Sequence, residues 1–107
     1  MLFRSNMADV YLKAAQRGDI AAKLDYGLLL RDTAKNVGDL VTSARWLNEA
    51  AEGGNVTAMA ELGRSLAFGI GVKADPVAAV DWLGQAGRAG HIAAAELARL
   101  LKLEVKP

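Results

Sequence analysis

In the stretch "GIGVKADPV" two glycines, Gly69 and Gly71, flank one residue just ahead of an Asp-Pro pair. Glycines so spaced can cradle a phosphate, because backbone N–H groups approach a ligand closely where no Cβ stands. The neighbouring residues do not support that chemistry. A phosphate loop follows a strand, and "ELGRSLAF" reads as a helix. No Lys-Ser/Thr pair enters the next helix, and residue 74 is alanine where a dinucleotide loop needs its third glycine. Asp75, at the helix entrance, would repel an anion. The stretch therefore reads as a tight turn between helices. Gly69 ends one helix, Gly71 takes an unusual backbone angle, Val72 packs inward, and Asp75-Pro76 opens the next helix.

The other reactive residue types are as sparse. His91 is the one histidine and there is no cysteine, so a metal site lacks both a second imidazole and any thiolate. His91 follows a helix-ending glycine, a position for capping or solvation. Ser43 and Ser65 fall inside helices with no histidine base in reach, and small residues there serve close packing. Glu49 and Glu52 lie on the solvated face of their helix, and a general acid/base pair needs burial to shift its pKa. Trp46 and Trp82 could stack on a base or a cofactor, but each precedes a leucine, Leu47 or Leu83, and the repetition assigns both to the core between repeats. No catalytic residue, metal or cofactor is expected, and the chain is read as a non-enzyme.

The elements behind these residues repeat. Setting Gly18–Gly53 above Gly54–Ala89, a shift of 36 residues, aligns Gly18 with Gly54, Ala22 with Ala58, Gly27 with Gly63, Asp39 with Asp75 and Ala50 with Ala86. The same shift pairs Trp46 with Trp82, and the chain has only 2 tryptophans. A third copy starts at Gly90 and stops after one helix. Its register is open by one residue, because "GNVTAMAEL" is one longer than "GHIAAAEL". Upstream, "ADVYLKAAQRG" matches the end of a unit.

Each unit predicts two helices. The first covers 20–31 and 56–67, after the N-caps Asp19 and Asn55. The second covers 40–52 and 76–88, after Asp39 and Asp75, with Pro76 in the first turn. Ala44, Leu47, Ala50 and Ala51 recur at helical spacing as one apolar face. Gly53-Gly54 and Gly90 supply left-handed helix ends. Gly27 and Gly63, inside helices, each sacrifice about 1 kcal/mol against alanine, which close approach of the paired helix would repay. No strand pattern is present. The reading is all-α: about six helices, two full units between two half-units, which must stack to bury their faces.

Composition agrees with a domain of this kind. The chain has 107 residues, the length of one domain with a core of its own. The 13 basic and 12 acidic residues give a net charge of +1, which argues against nucleic acid as partner. No segment has the length and apolar continuity of a membrane span, and "MLFRSNMADVYLK" lacks the apolar core of a signal peptide. A cytoplasmic setting is expected. "LFRSN" fits neither helix nor repeat, so 1–7 is set apart as a disordered or non-native leader with Met7 as an alternative start. The solenoid domain is placed at 8–104 and a tail at 105–107.

Residues 58–90 resemble the Sel-1-like repeat, a branch of the tetratricopeptide superfamily. The match rests on Ala58, Ala60, Leu62, Gly63, Gly69, Gly71, Val72, Asp75, Ala79, Trp82, Leu83, Ala86 and Gly90. The unit at 18–54 keeps Ala22, Gly27, Asp39, Ser43, Trp46, Leu47, Ala50, Ala51 and Gly54, but "DTAKNVGD" lacks the Gly-x-Gly-Val core of the loop. The resemblance covers roughly residues 8–103. It implies a right-handed α-solenoid of antiparallel helix pairs, acting as an adaptor or scaffold that binds protein segments in its concave groove. Many members are bacterial. Some disulfide-rich members have been described as hydrolases of lactam antibiotics, and the absence of cysteine sets this chain apart from them.

The superfamily's groove positions carry over to Leu24, Leu28 and Arg31 in the first unit, and to Thr57, Ala60, Arg64 and Phe68 in the second. Arg99, with Lys102 behind it, follows from the last helix. They imply a mildly basic groove for an acidic peptide with an apolar anchor, since arginine pairs bidentately with carboxylates. The alternative is a self-assembly module, a homo-oligomer stacked through end helices that expose Val10, Tyr11 and Leu97 to Leu103.

Overall fold

The computed structural model describes residues 2–105, with side chains over 7–103. Six helices follow one another: α1 (Leu2–Gln16), α2 (Ile20–Asp32), α3 (Val37–Glu52), α4 (Val56–Phe68), α5 (Pro76–Arg88) and α6 (Ile92–Val105). No strand occurs among the described residues. Each helix packs on the next, and α4 also touches α6. The outcome is an α-solenoid about 50 Å long and 28 by 19 Å across. The backbone of 2–7, the expected leader, is continuous with α1. Of the expected tail, Val105 belongs to α6 and 106–107 lie outside the described residues.

The caps set the repeat. Asp19, Asn55 and His91 stand 36 residues apart. Each accepts the backbone N–H three residues on, from Ala22 at 2.9 Å, Ala58 at 2.8 Å and Ala94 at 3.1 Å. Each bond satisfies one of the free donors of a helix start, worth about 1 kcal/mol where Asn or Asp provides it. The third copy therefore stays in the 36-residue register, which settles the residue left open above. Gly18, Gly54 and Gly90 precede these caps at φ of 98°, 95° and 104°, the left-handed region where a side chain is strained. Gly53 does not share it; its φ is −79°.

The two units divide their residues differently between loop and helix. In the second, Gly69 (φ 70°) and Gly71 (φ 71°) turn the chain, and Pro76 keeps the preceding residue out of the helix. The first unit lacks all three. Its α3 begins at Val37, ahead of the 40–52 expected. Asn36 is the cap and accepts the Asp39 N–H at 2.9 Å, while Asp39 accepts the Lys35 N–H. Those two bonds, one from the Asp39 N–H and one to its carboxylate, make helix of residues that remain loop in the second unit. Asp39 is a first-turn acid there, not the cap predicted for it.

Alanine and glycine fill the core. Leu47 and Leu83 are the largest fully buried side chains. Each presses on the glycine of the preceding helix: a Cβ on Gly27 would lie 3.0 Å from Leu47 Cδ2, and one on Gly63 would lie 2.5 Å from Leu83 Cγ. Between units, Ala50, Ala51, Ala58 and Leu62 form one buried cluster; Ala60, Ala79, Leu83, Ala86, Ala94 and Ala98 form the next. Ser43 Oγ donates to the Gly27 carbonyl at 2.6 Å, a buried link between α2 and α3 beyond its packing role. The tryptophans are half-buried rather than sealed in the core. Trp46 meets the Tyr26 ring edge-on at 5.7 Å and 86°. Trp82 packs on the cluster of Ala50, Ala51, Ala58 and Leu62.

Candidate protein-binding groove

The first helices of the units, α2, α4 and α6, expose equivalent stations at the 36-residue shift. On α4 these are Thr57, Glu61, Arg64 and Phe68, one stripe at helical spacing. Glu61 stands at the centre. Its Oε1 accepts Arg31 Nη1 at 2.7 Å and Arg64 Nη1 at 3.0 Å. Arg31 and Glu61 are about three-quarters covered, with 24% and 20% of their side-chain surfaces exposed, whereas Arg64 is half exposed. Arg31 is thus committed to Glu61, and Arg64 keeps donors facing solvent.

Beside Arg64 the groove turns apolar. A hollow of about 230 Å³ is lined by Ala60, Arg64, Leu83, His91, Ala94 and Leu97. Leu97 is shared with a larger hollow of about 720 Å³, whose walls include Phe68, Pro76, Leu100 and Leu103. Phe68 is 61% exposed, Leu100 46% and Leu103 62%, a concentration of apolar surface in so small a protein.

The predicted residues divide accordingly. Arg64 and Phe68 flank the two hollows, Thr57 is exposed on the same stripe, and Arg31 joins through Glu61. Leu28 is half-buried on α2. Leu24 packs on the inter-unit cluster and Ala60 is 3% exposed, so both belong to the packing rather than to the open face. Arg99 and Lys102 are elsewhere. They line a hollow with Gly84, Gly87 and Arg88 along α5 and α6, and Arg99 binds Glu96. The reason is register: the shift carries Gly63 onto Arg99, a helix-facing station, and Arg64 onto Leu100. Leu97, Leu100 and Glu61 stand at the same helical stations although the sequence reading did not name them, and the first two follow from the shift once the cap of α6 fixes it. This face is less basic than expected, because Glu61 takes up Arg31 and one donor of Arg64, and Asp25 and Asp32 stand at the α2 stations.

The reactive types hold structural posts. His91 Nδ1 accepts the Ala94 N–H, Ser43 donates to Gly27, and Glu49 pairs with Lys23 at 3.0 Å. Among the described residues no three His, Cys, Asp or Glu side chains come together as a metal site. No helix there is long and apolar enough to cross a membrane.

The model of the Sel1 repeat matches residues 24–55 and 56–91, which is more than half of the chain. The chain belongs to the Sel1-repeat family. The two matched stretches are the two full units of the solenoid, bounded close to the caps Asn55 and His91. Sel1 repeats generally mediate protein–protein interaction and are typically non-enzymatic. Among curated proteins none matches the chain. The Sel1 loop glycines, Gly69 and Gly71, are the residues whose spacing suggested a phosphate site. Gly71 instead lies against the start of α3, where a Cβ would overlap the Leu40 carbonyl.

Proposed function

We propose that this Sel1 protein is a non-enzymatic adaptor that holds a segment of another protein in the groove of α2, α4 and α6. The observation that carries the reading is the exposed apolar wall of Phe68, Leu100 and Leu103 around its hollow, joined through Leu97 to Arg64. The segment it suits has an apolar side chain for that hollow and a carboxylate for Arg64. Apolar anchors in a pocket dominate binding energy, and a charge-assisted arginine contact orients them.

The test is capture on immobilised protein from a cell extract, beside an Arg64→Glu/Phe68→Ala variant whose helical circular dichroism is intact. A partner held by the native protein and lost by the variant supports the groove. A partner held equally by both moves the site elsewhere on the solenoid.

End-to-end self-assembly is the second reading. It is favoured by Val10, Ile92 and Leu103, which are exposed on the two end helices. It is opposed by Arg99, which stands where Gly27 and Gly63 admit the leucine of the next helix. Capture of the protein itself alone would favour this reading.

A further inference from the structure

The two units differ on the side of α4 away from Arg64. The 36-residue shift carries Trp46 onto Trp82 and Tyr26 onto Leu62. In the first unit the Tyr26 ring meets the Trp46 ring edge-on at 5.7 Å. In the second, Leu62 offers no ring, and a crevice of about 480 Å³ opens between α3 and α5. Val41, Leu62, Val72 and Trp82 are among its apolar walls, with Arg45 and Asn48 lining it as well. Its volume lies within the roughly 300–1,000 Å³ of ordinary ligand sites. Arg45 is exposed and forms no ion pair among the described residues, whereas Glu49, also at this crevice, is held by Lys23.

We infer that this crevice is a second binding site, which takes an aromatic side chain of a partner protein against Trp82, with an acidic neighbour on Arg45. The chain shows which group suits a Sel1 tryptophan at this station, because it supplies its own to Trp46. Edge-to-face aromatic pairs attract beyond the area they bury, and aliphatic side chains lack that gain. The unpaired guanidinium adds preference for a carboxylate beside the ring. Arg64 and Leu66 are two residues apart and so point to opposite sides of α4, which makes this site separate from the groove.

The test reads the Trp82 fluorescence of a Trp46→Phe protein, titrated with the peptide acetyl-Glu-Phe-Glu-amide. The expected result is a saturable change, about threefold to tenfold weaker with leucine in place of phenylalanine. Binding is weakened with lysines in place of the glutamates. Leu62→Tyr, which refills the crevice with a ring of the chain's own, abolishes it. Arg45→Glu weakens it several-fold, and Arg64→Glu/Phe68→Ala leaves it unchanged. Should Leu62→Tyr lose its helical signal, Ala78→Leu closes the crevice from its other wall and replaces it. No saturable change up to the solubility of the peptide, or binding undiminished by Arg45→Glu and by the closing variant, would overturn the inference.

Discussion

Gly63 faces Leu83 so closely that a Cβ on the glycine would fall 2.5 Å from the leucine's Cγ, well inside normal contact. The corresponding pair, Gly27 and Leu47, leaves 3.0 Å. Alanine gains about 1 kcal/mol over glycine in a helix interior, while overpacking a core loses about 1–3 kcal/mol. Gly63→Ala is therefore expected to destabilise by roughly 1–2 kcal/mol, and Gly27→Ala to be close to neutral. Urea midpoints of the two variants decide it; equal midpoints would refute the difference in packing.

Ser43→Ala removes the hydroxyl that donates to the Gly27 carbonyl at 2.6 Å. The carbonyl keeps its place in α2, so the loss is that of one buried hydrogen bond, about 1 kcal/mol. Chemical denaturation of Ser43→Ala measures it, and a midpoint equal to that of the native protein would show that the bond contributes nothing net.

His91 is the weakest cap in the series, since an imidazole nitrogen replaces the oxygen of Asp19 and Asn55. His91→Asn should stabilise the protein by several tenths of a kcal/mol up to about 1, because asparagine ranks among the best capping residues. Thermal melts read the change, and a lowered midpoint would mean that the histidine packs against the hollow it lines.

Glu96 lies at the exposed outer face of α6. A hydrogen bond from the Arg99 side chain, then its positive charge, holds the Glu96 carboxyl below the usual value for glutamate. A carboxyl lowered by folding stabilises the fold above its unfolded value, and that contribution fades as pH falls through its folded value. Solvent screening keeps it small. Arg99→Ala should raise the Glu96 titration midpoint seen by NMR; an unmoved midpoint would show that the pair does not form in solution.

Glu61→Gln tests the centre of the groove. Losing the carboxylate frees Arg31 and Arg64 together. An acidic groove peptide should then bind a few times more tightly, with steeper salt dependence. If affinity falls instead, Glu61 is needed to hold Arg64 in position.

Much of this was legible in the sequence because the repeat is written in residues with one physical reason each. Asp19 and Asn55 start helices, Gly69 and Gly71 turn the chain, and the glycine–leucine pairs draw helices together. These gave α2, α4 and α5 to within a residue. The start of α3 was less legible. Asn36 and Asp39 are both good caps, and only the two side-chain bonds within 35–39 decide between them. The stations of the candidate groove were legible in part. A side chain's station follows from register, so one residue of doubt in α6 put Arg99 where Leu100 belongs. Pairing is harder to read, because Arg31 and Glu61 meet only once two helices of different units are packed.

The contact of Gly71 with the Leu40 carbonyl has a meaning for the evolution of such a surface. Here the loop of the second unit approaches the first main chain to main chain, at an atom every residue type carries. The curvature of the stack at this joint is therefore insulated from the identity of most side chains. Exposed side chains such as Arg64, Phe68 and Arg45 can vary while the frame presenting them stays fixed, as long as position 71 has no side chain of its own.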